Sequence, residues 1–395
     1  MRRRGFSGDF WPQPLHELLL QAALASDERA RAAWAEARPR LDLPALEAGC
    51  FDVLPILYRR LRDWGESDDA LTARLKGIYR KVWYANQLVF EQFRGPFAAL
   101  SEGGITPLVF GPASLATTVY EELGLRRVLY FEALVRREAV EDALEILQGA
   151  GLTLETPTAE VERRRPLVLT SPRRQVLALH DEVPVDVLLP GPRGDSADAF
   201  WASARPIDLH GVRAQVAGPA EALMLACASG ARGGRLVAVD WIADSAMLAG
   251  ADGLHWSRVA ELASERRVSE RVREGLRYLR EVLDLEVPDE LVAASQPVSR
   301  RERAGHRLSR RSHRVLGGLP NAMADYLRLS DERPTRLPFG FARHLQRHWA
   351  LPSLVHVPLR AAQKTGGSLR RTVRPRRSGA TQPSERRRSV LSRGS

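Results

Sequence analysis

Glu132 and Asp186 fall on two stretches that read as β-strands, Arg127 to Val135 and Val183 to Leu189. Ahead of them a third candidate strand ends in a glycine turn, Leu108-Val109-Phe110-Gly111, and Pro112-Ala113-Ser114 then opens a helix. Two strands can bring carboxylates to one cleft, where their hard oxygens suit a divalent cation. A glycine turn at a helix start offers backbone N–H groups, which suit phosphate. Because residues i and i+2 of a strand share a face, an acid at each would grip a metal as a pincer. Tyr130 occupies the position that would pair with Glu132. A phenol with a pKa of about 10 is neutral at pH 7 and a poor ligand for a hard cation. Taken without further support, an acid at a strand end is most simply a solvated side chain.

These residues need a scaffold, and the hydrophobic pattern predicts one. Leu71, Leu75, Ile78, Val82, Ala85, Val89 and Phe93 recur at spacings of three and four after the cap signal Ser67-Asp68-Asp69, which predicts a long helix. Gly95-Pro96 should kink or restart it, and Gly103-Gly104 should end it before a strand over Ile105 to Phe110. A helix from Pro112 to Glu122, the strand Arg127 to Val135 and a helix around Glu138 to Gln148 follow. Gln175 to Leu179 and Val183 to Leu189, separated by His180-Asp181-Glu182, read as a hairpin with a polar tip. Beyond Gly218-Pro219 the chain turns helical again, with Val268, Val272, Leu276, Leu279 and Leu283 on one stripe. The expected class is α+β, a small mixed β-sheet core between N-terminal and C-terminal helical domains with a disordered basic tail. The expected division is 1–100 helical, 101–205 α/β core, 206–295 helical, 296–360 basic linker and short helices, and 361–395 tail.

The chain has 395 residues and is 44% hydrophobic, enough for sizeable cores. Of its formal charge of +11, Ala361 to Ser395 carry +9, ten Lys or Arg against Glu385. Only three of its 59 basic residues are lysine, Lys76, Lys81 and Lys364. Such a bias towards arginine weakens any single arginine as a sign of phosphate recognition. Cys50 and Cys227 fit no metal or redox spacing, so buried thiols in a reducing compartment are expected. No segment approaches the ~20 apolar residues of a membrane span, and the expected location is cytoplasmic.

Several segments together resemble the uncharacterised nucleotidyltransferase-like family of bacteria, from about Leu18 to Val292. They are Leu54-Pro55-Ile56-Leu57-Tyr58, Arg74-Leu75-Lys76-Gly77-Ile78-Tyr79-Arg80, Trp83-Tyr84-Ala85-Asn86-Gln87, Gly104-Ile105-Thr106-Pro107-Leu108-Val109-Phe110-Gly111, Gly124-Leu125-Arg126 and Trp241-Ile242-Ala243-Asp244. No one of them is specific, but their order and spacing are. The resemblance implies Mg²⁺-dependent transfer of a nucleoside monophosphate from an NTP to an acceptor hydroxyl. It implies Glu132 and Asp186 as the metal-holding acids, Gly111 and Ser114 near the phosphates, and Arg126 as a neutralising charge. The departures fall in the site. The family usually has Leu-Lys-Gly where this chain has Val109-Phe110-Gly111, Asp-x-Asp where it has Tyr130-Phe131-Glu132, and a histidine where Ser229 falls. An impaired enzyme is therefore expected, and the alternative is a non-catalytic nucleotide- or protein-binding module that keeps the fold.

Other signals are weaker. His344 and His348 stand four apart on a predicted helix without a zincin glutamate, and Arg343 and Arg347 flank them. No Gly-x-Ser-x-Gly elbow, dinucleotide fingerprint or Cys/His cluster is present. The basic tail suits weak, salt-sensitive, non-specific contact with nucleic acid, and it lacks the interleaved aromatics of a single-strand binder.

Overall fold

The computed structural model of the protein describes residues 6, 11–46, 48–66, 69–155, 167–181, 197–230, 240–293, 298–309, 319, 322–323, 326–327, 337–348 and 351–363. Helices come first: α1 (Pro14–Leu24), α2 (Asp27–Ala37), α3 (Leu54–Asp63) and α4 (Ala70–Glu102). Asp69 caps α4 by accepting from the Thr72 N–H at 2.7 Å. Of the expected kink or restart at Gly95-Pro96, the restart does not occur, and α4 runs through Pro96 for 33 residues. A proline inside a helix costs about 3 kcal/mol because the carbonyl four residues back loses its donor. Burial of Phe93, Phe97 and Leu100, each fully enclosed, offsets that at about 1.5–3 kcal/mol apiece. Gly103 and Gly104 end the helix as expected, Gly104 at a φ of 78°.

The core elements are β1 (Leu108–Phe110), α5 (Pro112–Thr118), β2 (Tyr130–Leu134), α6 (Val140–Gly149), β3 (Thr153–Leu154), β4 (Leu167–Thr170), β5 (Val176–His180), α7 (Asp198–Ala202), β6 (Arg205–Asp208) and β7 (Arg213–Val216). The strands make one mixed seven-stranded sheet in the order β3-β4-β5-β2-β1-β7-β6. β2 runs antiparallel to β1 and parallel to β5, and β1 runs parallel to β7. The sheet is wider than expected, because β6 and β7 return to its far edge and carry strand structure to Val216.

The expected hairpin is corrected. β5 is flanked by β2 on one edge and β4 on the other, so its hairpin partner is Leu167–Thr170. Ser171-Pro172-Arg173-Arg174 makes the turn, with Arg174 at a φ of 61° and the Ser171 hydroxyl accepting from the Gln175 N–H at 3.0 Å. Val183 to Leu189, and Asp186 within it, lie outside the described residues.

One face of the sheet, with Val109, Phe131, Ala133, Leu177 and Leu179, packs against Phe90, Phe93 and Phe97 of α4 and Ala143 and Leu147 of α6. The Phe131 and Phe93 ring centroids are 4.7 Å apart. The opposite face contributes Leu108, Phe110 and Leu134 to a second core. That core also takes in α1, α3 and four later helices: α8 (Pro219–Gly230), α9 (Asp240–Ala249), α10 (Trp256–Glu265) and α11 (Ser269–Leu283). Trp11 stacks on Tyr278 at 4.8 Å, joining the N-terminal region to α11. The two helical regions that the sequence separates thus share one core, and α9 is held beside the entry to β2.

Among the described residues no helix is long and apolar enough to cross a membrane. Both cysteines are free and buried. Helix continues over residues 356–363, into the start of the expected tail, and residues 364–395 lie outside the described residues.

Candidate functional site

The glycine turn and Glu132 are brought together. Phe110 is the register partner of Glu132 across β1 and β2, so the carboxylate shares a face with that ring. The Glu132 side chain folds over the turn, where a Cβ added to Gly111 would lie inside the van der Waals shell of its Oε2. Gly111 itself sits at φ 67°, ψ −152°, a region that glycine alone occupies without strain. The Ser114 hydroxyl, in the first turn of α5, donates to the Gly111 carbonyl at 3.2 Å. Gly111→Ala is therefore expected to lower stability by about 1–3 kcal/mol through strain alone, with displacement of Glu132 adding to it. Urea unfolding measures this, and a variant as stable as its parent would contradict the close approach.

Ala178 on β5 is the other register partner of Glu132, and His180 follows two residues on along the same face. His180 was expected at a polar hairpin tip. Instead it ends β5, only 4% exposed, with Nε2 3.8 Å from Glu132 Oε1 and its ring 5.3 Å from that of Phe110. Burial pushes the imidazole down to about 3, so it is neutral near pH 7 and the contact is not a charge pair. Nε2 has no hydrogen-bond partner among the described residues. Tyr130, two residues before Glu132, has its phenol raised above the ordinary value, first by burial and then by the Glu132 charge.

A two-metal centre needs about three carboxylates arranged around ions ~3.5–4 Å apart. On this face β1 offers Leu108 and Phe110, β2 offers Tyr130, Glu132 and Leu134, and β5 offers Val176, Ala178 and His180. Glu132 is the one carboxylate among these strand positions, so the described residues do not fit a two-Mg²⁺ set. No group of three or more His, Cys, Asp or Glu arranged to hold a metal occurs among the described residues.

Arg126 lies in a different setting from the one expected of a phosphate clamp. Its guanidinium grips Asp244 of α9 through Nε–Oδ1 at 2.8 Å and Nη2–Oδ2 at 2.9 Å, and reaches Asp240 Oδ2 at 3.2 Å. Nη1 donates to the Arg127 carbonyl at 2.8 Å. Tyr120 completes the group by donating its hydroxyl to Asp244 Oδ1 at 2.8 Å. Burial acts to lower the Arg126 pKa, but the Asp244 and Asp240 charges outweigh it and hold the guanidinium charged. Burial raises the Asp244 carboxyl, and Arg126 opposes that shift. Next to this group Arg127 pairs with Asp52 at 2.8 Å, and burial followed by the nearby Asp240 charge raises the Asp52 carboxyl against the pull of Arg127.

Asn86 of α4 is a positioning residue that was not anticipated. Fully buried, it donates to the Leu123 and Arg126 carbonyls at 2.7 Å each and accepts from the Val128 N–H at 2.9 Å. Those bonds fix the loop that feeds Tyr130 and Glu132 into the sheet. An asparagine on the apolar stripe between Val82 and Val89 is the signal that could have found it, since a buried amide needs partners. Asp240 and Asp244, as partners of Arg126, could be found only from the fold.

Residues 51–284, more than half of the chain, match the model of a family described as uncharacterised nucleotidyltransferase. No curated protein and no solved structure matches the chain.

Proposed function

We propose that this chain, which belongs to the uncharacterised nucleotidyltransferase family, keeps the cleft of an enzyme that moves a nucleoside monophosphate from an NTP to an acceptor hydroxyl, with the Mg²⁺-dependent transfer impaired. One observation carries the reading: the positions around Glu132 on its sheet face are Tyr130, Phe110, Ala178, Leu134 and His180, and none is an acid. In this reading Gly111 and Ser114 lie towards the phosphates, and Glu132 and Asp186 are the acids for any divalent ion. Arg126 would be the neutralising charge, but its donors stay committed to Asp240 and Asp244, so it positions the β2 loop more than it clamps a ligand.

The second reading is a non-catalytic module that binds a nucleotide or a partner protein. The strand face favours it: a buried uncharged imidazole and a protonated phenol flank Glu132, the one carboxylate among the described strand positions of that face. Calorimetry of ATP binding with and without Mg²⁺ separates the two. Strong metal dependence supports the enzyme, whereas metal-independent binding, or none, removes it. Tyr130→Asp should restore an acid two residues from Glu132 and strengthen Mg²⁺ binding on the order of tenfold or more. An unchanged Mg²⁺ titration would remove Tyr130 from the site.

A further inference from the structure

The outer face of α4 carries a pattern that neither the cleft nor the core explains. From Ala70 to Phe90 the chain has four cations, Arg74, Lys76, Arg80 and Lys81, and no acid. Two of the three lysines in the whole sequence are among them, and a bias towards arginine does not account for those. Lys76, Arg80, Trp83 and Gln87 recur at spacings of four, three and four, and Tyr84 lies four beyond Arg80, which places the five along one helix face. Trp83 is 44% exposed and Tyr84 61%.

The surrounding surface behaves differently. Arg31, Arg38, Arg40, Arg59, Arg62 and Arg94 each hold an Asp or Glu. Arg74, Lys76, Arg80 and Lys81 have no ion pair among the described residues. A solvated helix face has no need of two exposed aromatic rings, and a protein-binding apolar patch is usually depleted in lysine. Unpaired cations that track a polyanion, with rings on which bases stack, are the recurring design of single-strand binding.

We propose that this face of α4 binds single-stranded nucleic acid, with Trp83 and Tyr84 stacking on unpaired bases and Lys76 and Arg80 meeting the phosphates. The assignment does not depend on whether the cleft is catalytic. It also differs from non-specific attraction to the basic tail, which lacks interleaved aromatics and would favour the denser charge of a duplex.

Fluorescence anisotropy of the full chain with ~12-nucleotide single strands of RNA and of DNA, and with a duplex of equal length, tests it. Single strands should bind more tightly than the duplex, and the RNA and DNA arms show which sugar is preferred. Trp83→Ala and Tyr84→Ala should each weaken single-strand binding roughly 5- to 150-fold, the equivalent of about 1–3 kcal/mol per stacked base. Lys76→Ala with Arg80→Ala should reduce the slope of log affinity against log salt by about 1.4. All four side chains are exposed or half-buried, so thermal melts of the variants should match the parent. Preference for the duplex, or affinity indifferent to Trp83 and Tyr84, would assign any binding to the tail and overturn the proposal. Capture by anionic vesicles without oligonucleotide binding would overturn it as well.

Discussion

Replacing Arg126 by methionine should destabilise the protein by about 3–5 kcal/mol, the cost of leaving a buried carboxylate without its counter-charge. Asp244 is 5% exposed and accepts two of the guanidinium's hydrogen bonds, so water cannot take over the role of Arg126 there. The Tyr120 hydroxyl remains as one donor to Asp244 and covers only part of the loss. Asp240, a third exposed, regains hydration and contributes little. Urea unfolding at neutral pH measures the difference. The double variant Arg126→Met, Asp244→Leu should recover much of it, because an apolar pair of similar volume removes both the charge and its penalty. A single variant within about 1 kcal/mol of the parent would mean that the α9 carboxylates are solvated, and that the tie between α9 and the β2 loop is weak.

Asn86→Leu should cost a similar amount by a different route. Leucine keeps the branching and the number of side-chain heavy atoms of asparagine but removes three hydrogen bonds at once, from the Leu123 and Arg126 carbonyls and the Val128 N–H. Each buried backbone group left without a partner costs about 1–3 kcal/mol, so a total of at least about 3 kcal/mol is expected. Hydrogen exchange gives the sharper readout. Protection should fall first at Val128 and its neighbours, ahead of the interior of α4, because the amide pins that loop and not the helix. Uniform loss of protection along α4 would show that Asn86 serves the helix instead. Weakening of the loop should also loosen Glu132, which links this stability change to any ligand binding beside that residue.

The periodic elements were legible because their signals are local. α4 follows from apolar residues at helical spacing and an Asp69 cap, and β2 from the run around Phe131. The choice between a restart and one continuous helix at Pro96 was not legible, since it rests on three aromatic and aliphatic side chains packed in the sheet core. The hairpin to β5 was misassigned for a related reason. Two short apolar runs lie near Val176–His180 in sequence, and choosing between them depends on which edge the turn at Arg174 delivers.

At the site, the sequence by itself determined the chemical inventory: an acid at Glu132, a phenol at Tyr130 and a glycine at 111. Residue types and spacing carry that much, because strand and helix periodicity fix which neighbours share a face. Only the tertiary structure decided that Arg126 is met by Asp240 and Asp244, more than a hundred residues away, and that His180 is buried beside Glu132. Burial and long-range charge set whether a group is free to meet a ligand, and both depend on which distant segments the chain packs together.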